Sequence, residues 1–116
     1  MFLEELRSYC LQKKGVSEGF PFDQNTLVFK VFGKLFALMD VESFDDVNLK
    51  CDPERAIELR ERYHAVQAGY HMNKKHWNTV RLFEDVDDSL LLELVDHSYD
   101  LVYNSLPKKV RDENPR

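Results

Sequence analysis

Lys74, Lys75, His76 and Trp77 stand in one uninterrupted run, with Asn73 before them and Asn78, Thr79 and Arg81 close behind. Lysine and arginine neutralise phosphates, an indole ring stacks on a base or packs on a sugar, and asparagine amides hydrogen-bond phosphate, sugar or base edges. These residue types over so short a path point to binding rather than to bond making. Each also has a plainer use, since paired lysines keep a turn solvated and asparagine suits turn geometry. The histidines raise the question of a metal. His71 and His76 are spaced i, i+5 with His64 and His97 elsewhere, which is not the one-face geometry of HExxH, and no nearby Cys or carboxylate completes a ligand set. Glu84, Asp85, Asp87 and Asp88 lack an EF-hand pattern and read as acids gathered at a helix start. There is no GxSxG, Walker A or GxGxxG signature, and Cys51 with a distant His is a common coincidence. The expectation is a chain that is not an enzyme and carries no cofactor or metal.

The elements that must position these residues follow from periodicity. Phe2, Leu3, Leu6, Tyr9 and Cys10 recur at helical spacing, and Lys13, Lys14 and Gly15 supply a basic last turn and a stop. A connector through Gly19, Phe20, Pro21 and Phe22 leads into LVFKVFGKLFALMD, which reads as two strands around a tight turn at Phe32 and Gly33. Val47, Leu49 and Cys51 alternate with Asn48 and Lys50, the pattern of a half-buried strand. Asp52 and Pro53 form an N-cap and N1 pair for a helix that carries Ala56, Leu59, Arg60 and Tyr63 and stops near Tyr63. HAVQAGYHMNKKHW is too irregular for a helix, and Gly69 marks a turn before a strand from Trp77 to Leu82. Asp87 or Asp88 caps a long helix whose buried stripe is Leu90, Leu91, Leu94, Val95, Leu101, Val102 and Leu106, ended by Pro107. The resulting order is α-β-β-β-α-β-α: an α+β domain over residues 1–107 with a frayed polar tail over 108–116. Its sheet is mainly antiparallel, with helices on one face and the other face partly open.

Alternation then assigns sides. Trp77, Thr79 and Arg81 share one side of their strand, and Val80 and Leu82 turn to the core. If Lys30 and Lys50 share the open side with them, the face is a basic surface containing an aromatic plate, to which Lys34 adds a further cation. The bland alternative stands beside it, because lysine on the polar side of a strand keeps that side soluble and Trp77 can be covered by a loop or a second chain.

Charge cuts both ways. The 116-residue chain has a formal net charge of −5, which opposes long-range attraction to a polyanion. Its distribution is uneven: His64 to Phe83 holds Lys74, Lys75 and Arg81 with no acid, whereas Glu84 to Tyr103 holds only acids among its charged residues. Cys10 and Cys51 lie far apart outside any CxxC spacing and read as reduced, structural thiols. The start MFLEELRSYC has no basic n-region or apolar h-region, and no window approaches a membrane span. A cytoplasmic protein with no membrane partner is expected.

The stretches FPFDQNTLVFKVFGKLFALMD, VNLKCDPERAIELRERY, GYHMNKKHWNTV and HSYDLVYNSLPKK, in that order, resemble the MmcQ/YjbR family of small bacterial proteins. The match covers nearly the whole chain, and GYHMNKKHWNTV is its most specific part. The resemblance implies a CyaY-like two-layer α/β sandwich similar to bacterial frataxins, and a DNA-binding role associated with a double-wing arrangement. Signature positions are Gly69, Tyr70, His71, Asn73, Lys74, Lys75, His76, Trp77, Asn78 and Thr79. The leading expectation is a nucleic-acid binder, with DNA as partner, using Lys30, Lys34, Lys50, Asn73, Lys74, Lys75, His76, Trp77 and Arg81. The alternative is a protein-interaction module that docks a partner, or a second copy in a weak homodimer, through the open face around Trp77.

Overall fold

The computed structural model describes residues 1–69 and 72–116. Its elements are α1 (Leu3–Leu11), β1 (Val16–Gly19), β2 (Thr26–Val31), β3 (Lys34–Asp40), β4 (Asp46–Lys50), α2 (Pro53–Arg62), β5 (Val66–Ala68), β6 (Trp77–Arg81), α3 (Asp88–Asn104) and α4 (Lys108–Glu113). The strands form one antiparallel sheet in the order β1-β2-β3-β4-β6-β5. The α+β expectation holds, with two strands more than periodicity reveals. β1 and β5 are short edge strands of four and three residues. They are ordered by the register that β2 and β6 offer them, not by an alternation of their own.

The β2–β3 hairpin turns on Phe32 and Gly33, both at positive φ (45° and 87°), as a two-residue turn between twisted strands requires. Phenylalanine tolerates that backbone here because its ring is held on two sides. It lies 6.5 Å from the Tyr103 ring and presses on Gly15, where any Cβ would come within 2.3 Å of it. Gly15 is therefore glycine for its φ of 76° and for the space. A register shift at Phe29/Lys30 lets both Phe36 and Ala37 enter the helix-side core. There Phe36 meets Tyr99 edge-on at 5.7 Å.

Asp52 accepts the Arg55 N–H at 3.1 Å and Asp87 accepts the Leu90 N–H at 2.8 Å, so both anticipated acids cap their helices. The buried face of α3 includes Tyr99 and Tyr103 besides the leucines and valines, whereas Leu90 and Leu101 are only half-buried. The C-terminal segment does not fray. Tyr103 donates to the Asn114 carbonyl at 2.8 Å, Lys14 to the Pro115 carbonyl at 2.6 Å, and the Arg116 guanidinium lies 4.4 Å from the Tyr103 ring centre. Tyr103, the Tyr99 ring 5.8 Å from the same guanidinium, and Lys14 hold the segment, which its polar composition conceals.

Candidate binding face

Cross-strand register sorts the open face into three zones. In the middle, Val28 faces Leu38, Leu38 faces Asn48, Asn48 faces Thr79, and Thr79 faces Gln67. Toward the β2–β3 turn lie Lys30 beside Leu35 and Lys50 beside Trp77. Toward the opposite end lie Thr26 beside Asp40 and Asp46 beside Arg81. The face thus runs from a basic end, through a middle row apolar on β2 and β3 and polar on β4, β6 and β5, to an end where Asp40 and Asp46 outnumber Arg81, and it is not the uniformly basic surface that alternation of Lys30, Lys50, Trp77 and Arg81 suggests.

Trp77 is 6% exposed. It packs with Val28 and Leu38, and half-buried Leu35 and Met72 complete the cluster. Lys50 Nζ sits 5.9 Å from the ring centre. The indole is on the expected side but is no open plate, which corrects the stacking role. Val28, Leu35 and Leu38 are apolar residues on the open side of their strands, and a large ring next to them closes a second, small core instead of facing water. Arg81 also departs from its expected role as a phosphate ligand. Its guanidinium pairs with Glu84 at 3.1 Å and donates to the His64 carbonyl at 3.0 Å, at the acidic end. Lys34 lies off this face at the hairpin, with Nζ 3.4 Å from the Ser105 carbonyl past the C-terminus of α3, where a cation suits the helix dipole.

The loop between β5 and β6 is built by turn bonds and by one arginine. Asn73 Oδ1 accepts the Lys75 N–H at 2.9 Å, its carbonyl accepts the His76 N–H at 3.2 Å, and the His76 carbonyl accepts the Cys51 N–H at 2.8 Å. Asn73 and His76 therefore have demonstrable positioning roles. Arg60 reaches from α2, donating Nε to Asn78 Oδ1 at 2.7 Å and a terminal nitrogen to the carbonyls of Lys74 and Trp77. Asn78 is buried on the helix side and also donates to the Ala56 carbonyl at 3.4 Å. Arg60 holds the loop in place; from sequence it reads only as part of a helical stripe. Lys74 and Lys75 project exposed from this scaffold, and neither forms an ion pair among the described residues. Lys30 and Lys50 are half-buried and likewise outside those ion pairs. Signature positions Tyr70 and His71 lie outside the described residues.

A trough of about 540 Å³ crosses the acidic half of the face. Phe22, Leu38, Asn48 and Met72 line it, and Asp23, Asp40 and Asp46 supply carboxylates. Phe22 is 69% exposed. The backbone N–H groups of Thr26 and Asn25 and the Thr26 hydroxyl hold the Asp23 carboxyl below its ordinary value. Asp40 Oδ1 accepts the N–H groups of Glu42 and Ser43 at 2.9 and 3.2 Å. These acids escape a sequence reading centred on the basic loop. Asp46 was legible, since it stands two residues before Asn48 on the same side of one strand.

Reactive groups elsewhere are directed into packing. The Cys10 and Cys51 thiols are buried and pushed up to about 12 and about 11 by burial. His97 is pushed below its ordinary value chiefly by burial, and its Nε2 accepts the Asp52 N–H at 3.1 Å. Among the described residues no group of three or more His, Cys, Asp or Glu could hold a metal ion, and no helix is long and apolar enough to cross a membrane.

Comparison with known proteins places this geometry among relatives. A family model described as YjbR matches residues 11–101. The uncharacterized protein YjbR of Escherichia coli K12 is 38% identical over 112 residues, covering 96% of this chain and 95% of the relative. The uncharacterized protein YbdF of Escherichia coli O157:H7 is 35% identical over 107 residues, covering 91% and 88%. The crystal structure of Deinococcus radiodurans protein DR2400, described as a DUF419 domain, superposes with a TM-score of 0.88 at 43% identity, covering 96% of this chain and 86% of that one. A Pseudomonas syringae crystal structure gives 0.73 at 26% identity, covering 87% and 98%.

Proposed function

The chain belongs to the YjbR family, and from the geometry of its open sheet face we propose that it is a non-catalytic binding protein that docks a polypeptide there. One observation carries the reading: half-buried Leu35 and Met72 and the exposed Phe22 stand over the buried Val28, Leu38 and Trp77 cluster, with opposite charges at the two ends of the face. A polypeptide segment matches such a surface, because it presents apolar and charged side chains in alternation at the spacing of the strands below. A polyanion laid along the whole face would meet Asp23, Asp40 and Asp46 at one end and find Trp77 already covered. The displaced titrations of Cys10, Cys51 and His97 arise in packing, away from the trough, which favours binding over catalysis.

Capture on immobilised protein tests the reading, with Phe22→Ala and Asp40→Ala altering the face and Phe83→Ala, 70% exposed elsewhere, as control. A specific protein is expected to be retained by wild type and Phe83→Ala after nuclease treatment, and reduced about tenfold or more by Phe22→Ala, the effect of a hot-spot aromatic. Retention by Phe22→Ala and Asp40→Ala alike contradicts it.

A nucleic-acid reading has its own support in Lys74 and Lys75, exposed and outside any ion pair among the described residues, at the same end as Lys30 and Lys50. In that reading DNA touches the loop end only. Anisotropy titration with single- and double-stranded DNA should then give affinity that falls steeply with salt and is lost in Lys74→Ala, Lys75→Ala. Absence of salt-sensitive binding removes this second reading.

A further inference from the structure

The three zones of the open face are self-complementary, and we infer that a second copy of this chain is an occupant of the face, in a two-fold, face-to-face pairing. This rests on the reading of that face as a polypeptide-docking surface and names one partner for it. The zones are ordered along the strands. Lys50 and Asp46 lie on the same strand, four residues apart, on either side of Asn48. Lys30 and Thr26 flank Val28 in the same way on β2, and Leu35 and Asp40 flank Leu38 on β3.

A two-fold axis lying between two such faces, along the row Val28, Leu38, Asn48 and Thr79, reverses strand direction from one copy to the next. Each middle row then lies on its own image. The Lys50 zone of each copy lies over the Asp46 zone of the other, and the Lys30 zone lies over Thr26 and its neighbours Asp23 and Asp40. An axis along the strands instead brings acid onto acid: along β4 it stacks Asp46 on Asp46 and Lys50 on Lys50, and between β3 and β4 it lays Asp40 over Asp46 while Lys50 meets only Leu35. Charge therefore favours the axis along the middle row, in which each ionic contact is attractive and occurs twice. Phe22, 69% exposed, adds apolar area in each copy.

Size sets the strength. Six strands at about 4.8 Å spacing and about five residues of length give on the order of 400 Å² of projected face per copy, below the roughly 800 Å² of a standard interface. The pairing is weak, concentration-dependent and sensitive to salt.

Sedimentation equilibrium of the wild-type chain from about 10 μM to about 1 mM, at low and at about 0.5 M salt, reads it directly. A dimer is expected at the high-concentration end in low salt and is expected to dissociate in high salt. Lys50→Glu alone and Asp46→Lys alone are each expected to be monomeric, since both juxtapose like charges twice. Mixed together they are expected to form a heterodimer. The carboxylate introduced at position 50 of one variant then meets the ammonium introduced at position 46 of the other, and the native Asp46 and Lys50 that remain meet at the second contact. Circular dichroism confirms that both variants fold. A wild type monomeric throughout the range overturns self-pairing and leaves the polypeptide-docking reading to its own capture test. A dimer that Lys50→Glu does not weaken overturns the arrangement, as does failure of two folded variants to associate.

Discussion

The two sides of the sheet bury their aromatics to different ends. On the helix side Phe29 and Phe36 are fully buried among Val47, Val80 and residues of α1 and α3, and Tyr99 joins α3 to Phe36 and, through its hydroxyl, to the Lys14 carbonyl at 2.5 Å. On the open side Trp77 closes a cluster of three buried residues, roofed by Leu35 and Met72, with no helix packed on it among the described residues. The first side makes the fold. The second makes a small apolar island in a polar face, and the island takes the indole that alternation offers as a stacking plate into the apolar part of the docking surface proposed above. An aromatic residue on the unpacked side of a strand is thus free to stack only if the adjoining rows offer no apolar neighbours.

The largest effects are expected in the two cores. Phe36→Ala removes a fully buried ring and is expected to cost about 3–5 kcal/mol in denaturant unfolding. Trp77→Ala is expected to fall in the same class, about 3 kcal/mol or more, because the ring is buried. An exposed plate would stay within about 0.5 kcal/mol on truncation, and such a value would erase the distinction drawn between plate and island. As the chain has a single tryptophan, its emission gives an independent reading. It should be blue-shifted and poorly quenched by acrylamide.

Arg60→Ala comes next. It strips Asn78 of a buried partner and frees the carbonyls of Lys74 and Trp77, so a loss of about 1.5–3 kcal/mol is expected, together with faster amide exchange in the 73–77 segment. An unchanged exchange pattern would mean that the turn bonds of Asn73 hold the loop unaided.

Acidification has a smaller effect with a definite sign. His97 has a folded pKa below its ordinary 6.5, so the unfolded chain takes up the proton first and stability starts to fall as pH drops through 6.5. Asp23 and Asp85 lie below the ordinary 3.8, Asp23 through N–H donors of Thr26 and Asn25 and Asp85 through those of Ala65 and His64. Their contribution is present above that value and is lost as pH falls through the lower folded one. Urea midpoints should therefore decline in two stages, with His97→Gln flattening the first and Asp85→Asn the second. Smallest of all, Lys34→Ala should leave partner binding and stability within about 0.5 kcal/mol, because Lys34 sits off the face.

Much of this was legible in residue order. The caps at Asp52 and Asp87, the Phe32 and Gly33 turn, and the inward Val80 follow from local rules that the tertiary structure respects. β1 and β5 were not, because edge strands take their register from neighbours distant in sequence. The candidate face was half legible. Alternation put Lys30, Lys50 and Trp77 on one side, but the burial of Trp77 depends on Met72, which a loop brings across the sheet, and Arg81 is drawn away by Glu84 and His64. Spatial convergence of that kind leaves no periodic trace.

Polypeptide docking on the open face is read out by a photo-reactive phenylalanine analogue placed at Phe22 and, separately, at Phe83, and irradiated in living cells. Polypeptide adducts from position 22 and none from position 83 are the result expected of a docking face around Leu35 and Met72. Adducts from position 83 alone, or none from position 22 while the Lys74 and Lys75 loop cross-links to nucleic acid, would contradict it.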